Sequence, residues 1–430
     1  MNYLFLLSFF LFNMWTLNCF GQAIKLLNPI TYDEKKVPSY VLPEVLLCKD
    51  GSMVATRKKW ENERRQELLD FFSTYVYGKV PQIKESLKWE IVRTDYSALG
   101  GRAIRREIKI WPLKSNNEYF LNVQMYLPLS AKDEPVPLFL AIALLPNYTV
   151  CSDPDVPMPD SILIADGKRV KAYRRGEKVD FWQLEMILSK GYGLATFCHQ
   201  DFTPDTEKDF VNGFPSLFYR PGQYYPYPDE WGAISMWAWQ MSRVLDYVLT
   251  DKMIDSKKVI AIGHSRLGKT ALWAAVQDQR FAMAVSNNSG CGGAAISKRC
   301  YGETVEAINR QYPQWFCGNF KQFNNREKYL PVDQHELIAL MAPRPVYVAS
   351  AEEDRWADPK GEFIGAKEAS SAYHLYGLNG LECDAMPALN SPVLDGYIGY
   401  HYRKGKHTIT AFDWDQYLKF ADRHFKKTSK

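Results

Sequence analysis

Histidine is scarce in this chain, seven in 430 residues, and no two stand in an H-E-x-x-H pair. The eight cysteines are scattered without a C-x-x-C spacing, so no metal site is indicated and no cofactor is implied. Long basic runs are missing too: the formal charge of +4 is spread along the chain, which gives no reason to expect nucleic acid as a partner. After the first twenty residues, no segment is apolar for long enough to span a bilayer, so no integral membrane segment is expected in the mature chain. Neither an internal repeat nor a low-complexity linker is present. With 46% hydrophobic residues, that leaves a globular chain able to build one large or two modest domains.

The first twenty residues, MNYLFLLSFFLFNMWTLNCF, are almost wholly apolar and are followed by Gly21-Gln22 and then by charge. This reads as a secretory signal peptide, residues 1–21, and predicts a secreted or periplasmic protein. The leader lacks Lys and Arg, so only its α-amino group supplies the usual positive charge. Cys19, in Leu17-Asn18-Cys19-Phe20, makes a poor lipidation site. Seven cysteines remain after cleavage, and the odd number requires at least one free thiol or an intermolecular bond.

The richest stretch is KKVIAIGHSRLGKTALWAAV, residues 257–276. Val259, Ile260, Ala261 and Ile262 form a continuous apolar run suited to a central parallel strand, a glycine-flanked serine follows, and an amphipathic helix begins at once. That is the layout of a nucleophile elbow, in which a sharp strand-to-helix turn lifts Ser265 clear of the backbone at a helix N-terminus. Leu267 stands where the common G-x-S-x-G motif has its second glycine, and Gly268 comes one place later.

Around the elbow, FLNVQMYLP, PLFLAIALL, GYGLATFCH, FAMAVSNNS and PVYVASAEED read as strands, and Trp231–Leu249 and Trp414–Phe425 as helices. The alternation predicts an α/β-hydrolase, a three-layer αβα sandwich with a mostly parallel sheet. Residues 22–118, with a helical stretch over 58–77 and strand-like alternation over 105–111, read as an N-terminal extension packed on a catalytic domain of residues 119–430. The two are expected to form one structural unit.

A serine hydrolase needs a base and an orienting acid, in chain order serine, acid, histidine for this fold. His401 and His407 share an apparent late loop, and His407 is the better candidate because it follows Gly405 and directly precedes the final segment. His374 and His424 fall in apparent helices, where packing or surface roles are expected. PVYVASAEEDRWADP offers Glu352, Glu353, Asp354 and Asp358 at a strand's carboxyl end, where active sites of open parallel sheets collect. The run Gly290-Cys291-Gly292-Gly293-Ala294-Ala295 mimics a dinucleotide fingerprint but lacks the acidic residue at the required spacing, so it reads as a tight turn near the active site.

Taken together, these pieces resemble the glucuronoyl esterases, carbohydrate esterases that cleave esters between glucuronic acid on xylan and lignin alcohols. The resemblance covers about residues 100–425 and is carried first by Gly263-His264-Ser265-Arg266-Leu267-Gly268-Lys269. Ser289-Gly290 with its small-residue turn, Glu353 to Pro359, and Arg403 to His407 support it. It implies Ser265 as nucleophile, His407 as base, Arg266 as stabiliser of the oxyanion, and Lys269, Glu303 and Trp356 as contacts to the sugar of a glucuronic acid ester or glucuronoxylan-type substrate. Two departures stand out. Asn288 occupies the place where many members carry the acidic glutamate, which moves the acid to Asp354, as in bacterial-like members, with Glu353 as runner-up. His264 replaces the cysteine that forms a disulfide in fungal members, and it is expected to be a buried structural residue pointing away from the serine. Two other functions stay open: an acetylxylan or other sugar-ester deacylase, and a non-catalytic carbohydrate-binding protein on a hydrolase scaffold. The latter would not react with an active-site phosphonate.

Overall fold

The computed structural model describes residues 30–163, 169–202 and 204–426; the expected signal peptide, 1–21, lies outside the described residues. Nine strands form one sheet, in the order β1 (Lys88–Ser97), β2 (Ala103–Trp111), β3 (Leu121–Pro128), β7 (Gly193–Cys198), β4 (Val136–Ala143), β8 (Ile254–His264), β9 (Met283–Asn287), β10 (Val346–Ala351) and β11 (Ile398–Arg403). A small hairpin of β5 (Ser161–Leu163) and β6 (Arg169–Lys171) stands apart from it. From β1 to β7 each neighbouring pair is antiparallel. From β7 to β11 every pair is parallel. This is an α/β-hydrolase sheet.

The continuous apolar runs are explained by burial on both faces, because successive side chains of a strand point to opposite sides. Along β4, Leu138, Leu140 and Ile142 enter one core, while Phe139, Ala141 and Ala143 enter the other. The first core is capped by the helices Ala233–Val248 and Arg266–Gln277 and the second by Ala411–Phe425, which makes three layers.

Three strands differ from the sequence expectation. Residues 88–111 supply β1 and β2 of this same sheet, so the sheet begins well before Tyr119; β1 is an edge strand that is largely exposed and carries no clear apolar alternation. His401 is not on a loop. It lies fully buried in β11, with Nε2 2.9 Å from Asp413 Oδ1 and Nδ1 2.9 Å from the Tyr347 hydroxyl, which rules it out as the exposed base.

The helical stretch over 57–77 packs against the elbow helix. Tyr77 stacks on fully buried Trp273, centroids 4.5 Å apart, and donates its hydroxyl to Gly292 O at 2.9 Å. Truncating a buried tryptophan of this kind costs about 3–5 kcal/mol. All seven described cysteines are free thiols.

Candidate active site

Ser265 sits between β8 and the elbow helix with φ 59° and ψ −129°, a left-handed conformation that a non-glycine residue holds only at a cost of about 1–3 kcal/mol. Its surroundings enforce it. Ser265 N–H donates to Asn287 O at 2.9 Å, and the Ser265 carbonyl accepts from Gly268 N–H at 2.9 Å. A Cβ on Gly263 would fall 1.9 Å from Leu267 O, so strand and helix can meet this closely only at a glycine. The first two N–H groups of the elbow helix, those of Arg266 and Leu267, have no intrahelical acceptor and face the serine end.

Past their last paired residues, β10 and β11 continue side by side: Glu352 N–H donates to Arg403 O at 2.8 Å and Glu353 N–H to Gly405 O at 3.0 Å. That extension brings Asp354, one residue past Glu353, next to His407, two residues past Gly405. Asp354 Oδ2 lies 2.5 Å from His407 Nδ1, whereas Glu353 is exposed. Arg403 props the histidine loop from beneath, donating to the carbonyls of Lys404, Lys406 and Thr408 and, at 2.6 Å, to Asp413. Asp354 is 6% exposed; burial alone would raise its pKa, but the hydrogen bond and charge of His407 and the amide of Asn288 outweigh burial and hold the carboxyl below its ordinary value. An ionised carboxylate only accepts, so His407 carries its proton on Nδ1 and leaves the Nε2 lone pair free.

His264 departs from expectation only in its exposure and in facing His407. Its ring is half-buried and lies against His407, centroids 4.3 Å apart, with Nδ1 2.6 Å from Asn287 Oδ1. Burial, then the charge of His407, lowers its pKa to about 3, so it stays neutral and is no competing base.

Arg266 donates from Nη1 to Asp205 Oδ2 at 2.7 Å, with its guanidinium 4.3 Å above the Trp315 ring. One turn further along the helix, Lys269 is buried and reaches Ser289 O at 2.6 Å and Glu303 Oε2 at 3.3 Å. Two of its three donors are thereby engaged. Trp356 is half-buried, and its carbonyl accepts Glu303 N–H at 2.9 Å. The three residues expected to meet a sugar are thus linked to one another, with Lys269 and Glu303 as a buried ion pair.

The glycine-rich stretch forms a tight turn beside this group. Glu362, fully buried, accepts from Ser289 N–H at 2.7 Å and Gly290 N–H at 2.9 Å, and burial pushes its pKa up to about 8. Glu362, Asp205 and Trp315 escaped sequence analysis, since each lies in a segment with no motif of its own.

A strained elbow serine, an Asp–His pair at the ends of neighbouring parallel strands and an adjacent arginine define the class: an α/β-hydrolase with the layout of a serine esterase. Comparison with known proteins places it further. The family model described as "Glucuronyl esterase, fungi" matches residues 179–377. The carbohydrate esterase MZ0003, from an unknown prokaryotic organism, is 44% identical over 402 residues, 91% of each chain. A 4-O-methyl-glucuronoyl methylesterase of Phanerochaete carnosa is 33% identical over 331 residues, 75% of this chain and 69% of that one. The solved glucuronoyl esterase from Solibacter usitatus superposes with a TM-score of 0.86 at 44% identity, covering 91% of this chain and all of that one. The chain belongs to the glucuronoyl esterase family.

Proposed function

We propose that the protein hydrolyses glucuronoyl and 4-O-methyl-glucuronoyl esters, such as those joining xylan to lignin alcohols, through an acyl-enzyme on Ser265. The observation that carries the mechanism is the 2.5 Å bond between Asp354 and His407 Nδ1, which leaves Nε2 as the basic nitrogen. In this mechanism His407 Nε2 takes the Ser265 proton as Oγ attacks the ester carbonyl, then passes that proton to the departing alcohol oxygen. Asp354 stabilises the imidazolium without taking its proton. Arg266 and the unpaired N–H groups at the helix start stabilise the oxyanion. Water, deprotonated by the same nitrogen, then releases the uronate from Ser265.

Lys269, Glu303 and Trp356 are the proposed sugar contacts: a cation and an anion for hydroxyls, and an indole with a flat apolar face. Residues 22–430 are proposed as one structural unit, and the apolar leader favours export to the periplasm or medium. No helix among the described residues is long and apolar enough to cross a membrane. The test is to compare hydrolysis of methyl glucuronate with deacetylation of acetylated xylan. Efficient turnover of the first and little of the second is expected; the reverse would make the protein a deacetylase.

A further inference from the structure

The arginine beside the nucleophile is held by a cage that no part of the triad explains. Asp205 stands on the loop after β7, just before the short helix Glu207–Asn212, 60 residues from the elbow in sequence. Its Oδ2 accepts from Arg266 Nη1 at 2.7 Å, and its Oδ1 accepts from Gln314 Nε2 at 2.8 Å and Trp315 Nε1 at 3.0 Å. The Asp205 side chain is 7% exposed and that of Arg266 is 20%. The guanidinium lies 4.3 Å from the Trp315 ring centroid and 5.0 Å from that of Tyr312, and these two rings stack at 3.7 Å with 3° between their planes. Behind the carboxylate stands His199, with Nε2 3.9 Å from Oδ2; burial lowers its pKa to about 4, so it brings no positive charge to compete with Arg266.

We infer that Asp205 is a positioning residue for ester hydrolysis, fixing the Arg266 guanidinium against the Tyr312–Trp315 stack so that its remaining donors are already aimed at the acyl oxygen when negative charge develops there. The inference rests on the proposed role of Arg266 at the oxyanion. An unrestrained arginine spreads over many rotamers, and a donor must be ordered before the reaction to stabilise charge without reorganising. Asp205 is a poor candidate for supplying charge stabilisation itself, because its own negative charge opposes an oxyanion. No hydrogen bond joins it to Ser265, His407 or Asp354 among the described residues, so its effect must pass through Arg266.

The test is a double-mutant cycle on methyl glucuronate hydrolysis, measuring kcat and KM for the wild type, Asp205→Asn, Arg266→Ala and the double variant. Melting by circular dichroism checks that each is folded. Losing one oxyanion donor costs on the order of 100-fold or more in kcat, and misaiming it should cost roughly 10- to 100-fold with KM little changed. In the Arg266→Ala background, Asp205→Asn should cost nothing further, since there is no guanidinium left to aim. Trp315→Phe keeps an aromatic face for the guanidinium and removes the indole N–H that donates to both Asp205 oxygens, so it should give a smaller kcat loss that also vanishes in that background; it takes the place of Asp205→Asn should that variant not fold. A wild-type kcat for Asp205→Asn alongside an impaired Arg266→Ala overturns the inference alone, as does an equal loss in both backgrounds, which is the mark of structural damage. A wild-type kcat for Arg266→Ala overturns the oxyanion role and the inference with it.

Discussion

Asn288 donates its side-chain amide to Asp354 Oδ2 at 2.8 Å, the same oxygen that faces His407 Nδ1 at 2.5 Å. The position where the resemblance to the family implies an acidic glutamate therefore lies alongside the proposed triad carboxylate, and the amide acts as a donor that helps keep Asp354 ionised.

This neighbourhood predicts a transferable acid. Asp354→Asn should lower kcat by about 1,000- to 10,000-fold, the scale seen when a triad carboxylate is replaced by its amide. Adding Asn288→Glu returns a carboxylate to the same cluster and should recover at least about tenfold. Asn288→Ala alone removes one bond to a charged group and should cost about 1.5–3 kcal/mol in transition-state binding. Steady-state kinetics on methyl glucuronate decide it; no recovery in the double variant would mean that the new carboxylate cannot reach His407.

The proposed sugar contacts separate into two kinds. Lys269 and Glu303 are buried together, so Lys269→Ala strands a carboxylate and should cost about 3–5 kcal/mol of folding stability as well as activity. Trp356 is only half-buried and gives the cleaner test. Trp356→Ala should weaken kcat/KM for methyl glucuronate by about 1–3 kcal/mol and leave 4-nitrophenyl acetate nearly unchanged. An equal loss on both substrates would remove Trp356 from the uronate site.

His264 predicts a pH signature in folding. Its pKa is about 3 in the folded protein against 6.5 for the ordinary side chain, so below pH 6.5 the unfolded chain binds the extra proton and wild-type stability falls. His264→Gln lacks that proton. The stability of the wild type relative to the variant should therefore decline by at most about 1.4 kcal/mol per pH unit between pH 6.5 and 4. Urea unfolding of both proteins at pH 7, 6 and 5 measures it, and a difference independent of pH would mean that His264 protonates freely in the folded state.

The strands that could be read in the sequence are those buried on both faces. β4, β9, β10 and the second half of β8, from Val259 to Gly263, carry apolar runs because neither of their faces meets water. β11 hid behind polar letters: in IGYHYR the Tyr400 hydroxyl donates to Pro359 O at 3.0 Å, and His401 and Arg403 both bond Asp413, so the core accepts side chains that look like a loop. The choice of Asp354 among four carboxylates needed the family resemblance, because what decides it is the backbone pairing of residues 352 and 353 with the His407 loop. Ser265 announced itself because the elbow needs its glycine within the same heptad of sequence. Asp205 did not, since its partners come from residues 266, 314 and 315 and meet only after folding.

The central claim is that Ser265 carries the glucuronoyl group, and it is tested most directly by methyl glucuronate hydrolysis in wild-type protein and a folded Ser265→Ala variant. Rapid wild-type turnover is expected, with a loss of roughly 10,000-fold or more in kcat for the variant and its melting temperature preserved. A folded Ser265→Ala protein that still hydrolyses the ester near the wild-type rate would contradict it.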